Sequence, residues 1–313
     1  MTDHTHAGRR AWLRKSGTLL MGARLGTTLG GAIGVLAPGA VHAPAHAASA
    51  TPAGAASAAK AKRIVAMGGT LTEIIFALGE GGRVVGVDAS SLYPPEAKKL
   101  PQVGYFRQFS VEGVASLKPD LVIAPVEAGP PQAVAGLKGL GFPVMQFELK
   151  PSIEELTARI DDLATLLGVP DKGSALIEAI RAEVDKAVAT PRKARVLVLS
   201  SHAGKMQAAG RDTAIDVQLK LLGADNLMSG SHAGYKPVSG ESVAALRPDV
   251  IVTSPLSLAQ GGGDAFLAQP GIAVTPAARN KRIIVLDDLL MLGFGPRVGE
   301  SLRLLSAGLG DPS

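Results

Sequence analysis

Tyr105 stands two residues before Arg107 in the stretch Val103-Gly-Tyr-Phe-Arg, and a phenol beside a guanidinium has definite chemistry. The cation favours the phenolate by Coulomb attraction, and a phenolate oxygen is a good ligand for ferric iron. The bland alternative is a tyrosine packed at a loop–strand junction. Scarcity gives Tyr105 its weight. Beyond residue 47 the chain holds three tyrosines, two histidines (His202 and His232) and no cysteine. Thiolate metal sites and cysteine nucleophiles are therefore excluded, and a zinc or manganese centre, which needs three or more imidazole and carboxylate ligands, is short of histidine.

His202 lies in Ser200-Ser-His-Ala-Gly204, directly after a predicted strand. Ligands of α/β sheets gather beyond the carboxyl ends of the strands, so its imidazole can face Tyr105 across a cleft or simply hydrogen-bond its own loop. His232, in Gly230-Ser-His-Ala-Gly234, reads as a loop residue, and Met206 and Met291 as packing residues rather than thioether ligands. No Gly-x-Ser-x-Gly elbow, Walker A lysine motif or His-Glu-x-x-His is present, which removes the common hydrolytic and nucleotide-dependent enzymes.

The elements that must position these residues alternate. Short β-branched runs at 63–67, 83–88, 121–125, 144–147, 196–199, 250–254 and 283–287 predict strands, with helical patterns between them. Thr70 with Glu73, and Ser152 with Glu155, have the spacing of capping boxes. Apolar residues from Ile153 to Leu167 and from Leu176 to Val184 follow helical spacing, broken at Gly168-Val-Pro170 and stopped by Pro191. The second of these helices, about 18 residues or ~27 Å, is long enough to be a strut between domains. An internal repeat agrees: Glu112-Gly-Val-Ala-Ser-Leu-Lys-Pro-Asp-Leu-Val-Ile matches Glu241-Ser-Val-Ala-Ala-Leu-Arg-Pro-Asp-Val-Ile-Val at an offset of 129, preceded by Gly104-Tyr105 and Gly234-Tyr235 respectively, and 70–79 echoes 213–223. The expected fold is α/β, two similar lobes with parallel-type sheets joined by a long helix and a ligand cleft between them.

Residues 1–47 read as an export signal. Arg9-Arg10-Ala-Trp-Leu-Arg-Lys15 is a twin-arginine start, followed by a Gly-rich apolar stretch and small-residue cleavage options at Val41-His-Ala43 and Ala45-His-Ala47. This segment carries five Lys/Arg against one Asp/Glu, so the formal charge of +5 falls to +1 for the remainder. The basic pI says nothing of nucleic acid, and no basic run interleaved with aromatics exists to bind it. The expected organisation is a twin-arginine signal at 1–47, an Ala/Pro-rich tether at 48–61, an N-terminal lobe at 62–168, an interdomain helix at 169–190 and a C-terminal lobe at 191–313.

Several motifs carry a family resemblance. Arg63-Ile-Val-Ala-Met-Gly-Gly-Thr-Leu-Thr-Glu-Ile-Ile-Phe-Ala-Leu-Gly79, Tyr93-Pro-Pro, Leu100-Pro-Gln-Val-Gly-Tyr-Phe-Arg107, Leu117-Lys-Pro-Asp, Ala128-Gly-Pro-Pro and Gly293-Phe-Gly-Pro-Arg297 occur in this order. From Lys62 onward the chain resembles the periplasmic haem-binding proteins of bacterial ABC haem importers, within the wider helix-linked class that binds metal chelates. The resemblance implies a periplasmic protein carrying haem b as cargo, with Tyr105 as an iron ligand and Arg107 its neighbouring cation. His202 becomes a second candidate iron ligand, for the same iron or for a second stacked haem. Arg211, Lys236 and Arg297 become partners for propionates and Tyr235 a pocket wall, each weighed against a solvated or structural role. Glu112 and Glu241, opening repeat-related helices, become docking points for permease arginines, against the alternative of helix capping. The implied partners are an ABC permease and its ATPase subunit, with an outer-membrane haem receptor upstream. A siderophore or cobalamin receptor would keep the same fold, and a haem-dependent enzyme would need a distal acid–base group and an electron source.

Overall fold

The computed structural model describes residues 59–202, 205–259 and 261–310; the expected signal at 1–47 and the tether up to residue 58 lie outside them. The first lobe runs β1 (Ile64–Ala66), α1 (Gly69–Ala77), β2 (Val84–Val87), β3 (Gly104–Tyr105), β4 (Gln108–Phe109), α2 (Val111–Ser116), β5 (Leu121–Pro125), α3 (Pro131–Gly139) and β6 (Val144–Phe147). Two helices follow, α4 (Ile153–Leu167) and α5 (Pro170–Val188). The second lobe is β7 (Arg195–His202), β8 (Lys205–Ala209), α6 (Ala214–Leu221), β9 (Asp225–Asn226), β10 (Tyr235–Pro237), α7 (Gly240–Leu246), β11 (Val250–Thr253), α8 (Pro255–Leu258), α9 (Gly262–Leu267), α10 (Pro276–Arg279), β12 (Ile283–Val285), α11 (Asp288–Leu292) and α12 (Val298–Leu309).

The first sheet has the order β2-β1-β5-β6, all parallel. Every residue of β5 is buried, as a central parallel strand covered on both faces requires. In the second lobe β9, β7, β11 and β12 pair in the same relative order and are likewise parallel. The sequence repeat is thus a repeat of topology. The second sheet departs from the expectation of parallel strands alone, because β8 pairs antiparallel with β7 and β10 antiparallel with β8. β7 is long enough to pair with β9 through Arg195 and Val196 and with β8 from Leu199 onward.

The chain crosses between the sheets through α4 and α5. Ser152 caps α4 by accepting from the Glu155 amide at 3.1 Å, and Gly168 ends it at φ 77°, a conformation that glycine adopts without strain. Pro170 opens α5, where its missing amide costs nothing. The 19 residues of α5 span about 28 Å, and the helix packs between α4 and the C-terminal α12. Among the described residues no helix is long and apolar enough to cross a membrane.

The other capping box is not one. α1 begins at Gly69, one residue ahead of the expected start, and Thr70 and Glu73 are buried inside it. Its amino end is satisfied from a neighbouring loop instead: the Gly68 amide donates to Asp88 Oδ1 at 2.8 Å and the Gly69 amide to Ser90 Oγ at 3.0 Å. Glu73 is thereby free for a different contact.

Candidate ligand-binding site

Tyr105 projects from the hairpin of β3 and β4, in which it faces Gln108. Hydrogen bonds tie this hairpin to the carboxyl edge of the first sheet. The Gly104 carbonyl accepts from the Ala89 amide at 2.7 Å, the Phe106 carbonyl accepts from the Gly129 amide at 2.9 Å, and the Phe106 amide donates to Asp88 Oδ2 at 3.1 Å. Asp88 is fully buried just past β2 and also accepts from the Gly68 amide, the Ser90 amide and hydroxyl, and the Ser91 hydroxyl, all within 3.1 Å. A buried carboxylate is costly unless its lone pairs are used, and five donors use them here. The hairpin is therefore fixed at its base while Tyr105 is 46% exposed. Its ring lies 4.6 Å from that of Phe106, and the Arg107 guanidinium sits 5.1 Å from the centre of the same ring, within cation–π range. Asp88 was not singled out from the sequence; the signal for it was an Asp-Ala-Ser-Ser run that begins on the last residue of a predicted strand.

In the second lobe His202 ends β7, its backbone opposite Lys205 at the start of β8. This is the carboxyl edge of the second sheet, as its position after a strand implied. Tyr235 begins β10, opposite Ala209. Its hydroxyl is buried without a hydrogen-bond partner, and burial pushes the phenol pKa well above the ordinary tyrosine range. A neutral phenol of this kind is a poor iron ligand. Lys236 is exposed beside it, and exposed Arg211 brings Nε to 3.7 Å from Asp212 Oδ2. His232 is buried, with Nε2 at 3.0 Å from the Ala208 carbonyl. Met291 is fully buried in the core, and Met206 packs against the second-lobe core.

Arg297 is placed otherwise than expected. Its backbone amide and Nε both donate to Glu73 Oε1, at 3.2 and 3.1 Å, and Nη2 donates to Glu73 Oε2 at 3.3 Å. Asp287 and Glu300 lie within 3.8 Å of the same guanidinium, and its other side rests 3.6 Å from the centre of the Tyr93 ring. With three carboxylates around it, Arg297 is a clamp from the second lobe onto α1 of the first and not a free cation for a propionate. Burial outweighs Arg297 and pushes the Glu73 carboxyl above its ordinary range. For Arg297 burial acts downward, but the surrounding carboxylates prevail and raise its pKa. The seat around the clamp is close-packed: a side chain at Gly69 would meet the Ser90 carbonyl at 2.4 Å and Leu289 at 2.6 Å, and one at Gly293 would meet Thr70 Oγ1 at 3.0 Å. The Gly-Gly-Thr and Gly-Phe-Gly-Pro-Arg motifs are two halves of one interlobe contact.

Next to this seat, a cavity of about 240 Å³ is lined by Thr70, Leu149 and Pro151 from one side and by Thr213, Ala214 and Tyr235 from the other. Tyr105, Arg107, Arg211 and Lys236 are not among its lining residues. Among the described residues no group of three or more His, Cys, Asp or Glu side chains is arranged to hold a bare metal ion. Glu112 and Glu241 keep the symmetry that the repeat promised. Each is exposed in the first turn of a short helix, α2 or α7, after a serine N-cap: Ser110 Oγ accepts from the Gly113 amide at 2.9 Å and Ser239 Oγ from the Ser242 amide at 3.2 Å.

Comparison with known proteins agrees with this architecture. The chain is similar in structure to the periplasmic haem-binding protein RhuT of Roseiflexus sp. RS-1 in its apo form, with 41% identity, a TM-score of 0.74, and coverage of 79% of this chain and 97% of that one. The periplasmic haem-binding protein HutB of Vibrio cholerae gives 34% and 0.71 over 78% of this chain and 97% of its own. The periplasmic vitamin B12-binding protein BtuF of the same organism gives 26% and 0.68 over 80% and 96%. The family model described as periplasmic binding protein matches residues 64–290, from β1 to within α11. This chain belongs to the periplasmic binding protein family.

Proposed function

We propose that the protein captures haem in the cleft between its lobes and hands it to an ABC permease. The observation that carries this reading is Tyr105, an exposed phenol on a backbone fixed through Asp88, with Arg107 stacked on the adjoining Phe106. The carboxyl ends of β2 and β5 lead to the segments that hold the Tyr105 hairpin, and His202 is the last residue of β7. Exposed Val126 follows β5, exposed Leu256 lies in α8 just past β11, and exposed Leu292 ends α11, supplying apolar surface of the kind a porphyrin face requires. Tyr105 is the iron ligand in this reading and Arg107 its charge partner. His202 is a second ligand, and Arg211 and Lys236 offer positive charge to propionates. The lobes at 62–168 and 191–313 turn about the 169–190 helix, and Glu112 and Glu241 meet the permease. Export follows the twin-arginine route with loss of residues 1–47.

The relatives support haem over other chelates, since of the two Vibrio cholerae proteins the haem binder is the more similar at 34% against 26% identity. The test is titration of the purified protein with haemin and, in parallel, with cyanocobalamin and a ferric siderophore. A one- or two-site haemin isotherm with the charge-transfer bands of a ferric tyrosinate is expected. Saturable cobalamin binding without haemin binding would replace the haem reading by the cobalamin one. Haem bleaching under reductant would point to an enzyme instead.

A further inference from the structure

We propose that a groove at the joint between the lobes is a second binding site, for a small organic cation with an apolar body, distinct from the residues assigned to cargo. The groove has a volume of about 470 Å³, within the roughly 300–1,000 Å³ of pockets that hold small molecules. Its walls come from α1 of the first lobe, the loop after β2, the interdomain helix α5 and the turn that opens α12. None of Tyr105, Arg107, His202 or Tyr235 lines it, so the site does not depend on which cargo the protein takes.

Much of the lining is apolar. Phe76 of α1, Leu176 and Ile180 of α5, Pro94 and Pro296 supply it, and removing such surface from water favours an apolar ligand by about 25 cal/mol per Å². The Tyr93 ring, which also lines the groove, has Arg297 over one face and is 38% exposed. Aromatic faces attract cations as well as apolar groups.

The charge around the groove is negative, and this selects the sign of the ligand. Arg297 is the only cation in the lining, and Glu73, Asp287 and Glu300 already surround its guanidinium. Even with Glu73 protonated, as burial favours, the other two acids outnumber it. Glu96 and Glu183 also line the groove; both are exposed, and neither has an ion-pair partner among the described residues. Gly299 leaves the room that Glu183 occupies, since a side chain there would meet Glu183 Cβ at 2.5 Å and Oε2 at 2.7 Å. Lys186 and Arg303 line an adjoining cavity and not this groove. An anion would thus meet carboxylates and an engaged guanidinium, whereas an ammonium is attracted by Glu96 and Glu183.

The probes are tryptamine, an indole bearing an ammonium, and indole-3-propionate, the same ring bearing a carboxylate. Each is titrated into the protein at neutral pH and followed by ligand-observed NMR. Saturable tryptamine binding with a Kd of about 1 mM or tighter is expected, the affinity of a ligand of about a dozen non-hydrogen atoms at ordinary efficiency. Indole-3-propionate should bind at least about tenfold more weakly. Two variants at exposed positions of α5 locate the site. Ala179→Phe fills the groove and should weaken tryptamine by about tenfold or more. Glu183→Gln keeps the shape, so its result stands even if the larger side chain lowers stability. It should weaken tryptamine by about threefold, leave indole-3-propionate no weaker, and reduce the loss of tryptamine affinity as salt is raised. Equal affinity for the two indoles, no saturation by about 10 mM tryptamine, or tryptamine binding that both variants leave unchanged would each overturn the proposal.

Discussion

The two lobes repeat one framework, yet residues at matching places have diverged in duty. Glu73 in α1 and Asp216 in α6 are both buried carboxylates at the same distance from Thr70 and Thr213. Asp216 stays within its own lobe, bonded to Lys220 at 2.7 Å and to Asn226 at 2.8 Å, whereas Glu73 crosses to Arg297. Tyr105 stands exposed on a hairpin, while Tyr235 is half-buried in β10 beside β8, with its hydroxyl covered and unpartnered. Glu112 and Glu241 have not diverged: both are exposed behind a serine cap. Lobe contact and cargo contact are asymmetric tasks, and there the copies differ; a partner that meets both lobes alike would select for sameness.

The first contrast breaks with the largest effect at Arg297. Arg297→Ala leaves Glu73 buried without its partner, which typically costs about 3–5 kcal/mol, to be read from denaturant unfolding. Glu73→Gln keeps the shape and removes the buried charge, so its loss should be smaller, about 1 kcal/mol. The pH dependence has a definite sign. In Arg297→Ala the Glu73 carboxyl keeps the upward push of burial without the counter-pull of the guanidinium, so its folded pKa lies above the unfolded value of about 4.5. A carboxyl raised in this way loses stability as pH rises through its folded pKa. The variant should therefore regain part of its deficit relative to wild type between pH 7 and about 4.5. A deficit constant across that range would mean that packing at the seat, and not the stranded charge, sets the cost.

The second contrast separates the tyrosines. Tyr105→Phe should weaken haemin binding by about a hundredfold, since changes to groups that merely support a ligand already cost 10–100-fold, and the tyrosinate bands should vanish. Tyr235→Phe should leave those bands in place. Bands lost in the second variant and kept in the first would invert the assignment of the lobes.

Much of this division was legible in the sequence, and the misses have physical causes. All seven predicted strands formed to within a few residues: the central runs of β1, β5 and β11 are buried on both faces, and the half-buried edge strands β6 and β12 pair alongside them. Strands β8 and β10 escaped notice because Lys205–Ala209 and Tyr235–Pro237 are short, mixed in polarity and defined by pairing with β7 rather than by their own pattern. The Thr70–Glu73 spacing matched a cap, but Gly68-Gly69 let the helix start earlier and drew its capping donors to Asp88 and Ser90, 20 residues away. Arg297 looked like a free cation because three of its neighbours, Glu73, Tyr93 and Asp287, come from distant turns or another lobe. Long-range partners of polar side chains are what a linear pattern conceals.

Asp88 offers an intermediate test, since it supports the first-lobe tyrosine and has no contact with the second. Asp88→Asn keeps the volume but replaces acceptor oxygen by an amide that faces the donors of Gly68, Ser90, Ser91 or Phe106. Loss of one or two charge-assisted bonds, about 1.5–3 kcal/mol each at most, should loosen the hairpin. Haemin affinity should fall by about tenfold while the tyrosinate bands persist but broaden. An unchanged affinity would show that Tyr105 does not need a fixed base.

The smallest effect on cargo belongs to the pair that stayed alike. Glu112→Ala with Glu241→Ala removes two exposed carboxylates whose helices retain their serine caps, Ser110 and Ser239. Helix stability should change by a few tenths of a kcal/mol for each lost dipole contact, and haemin affinity by less than twofold. If the permease recognises both lobes through these charges, the double variant should lower permease-stimulated ATP hydrolysis and haem uptake in proteoliposomes. Charges at such a rim act mainly on encounter and on partner choice, and with a screening length of about 10 Å at 0.1 M salt the wild-type advantage should shrink as salt is raised. The single variants should be equal to each other, as two matching contacts require. Unequal singles would show that the permease reads the lobes differently, and full uptake by the double variant would leave both glutamates as first-turn residues of helices and nothing more.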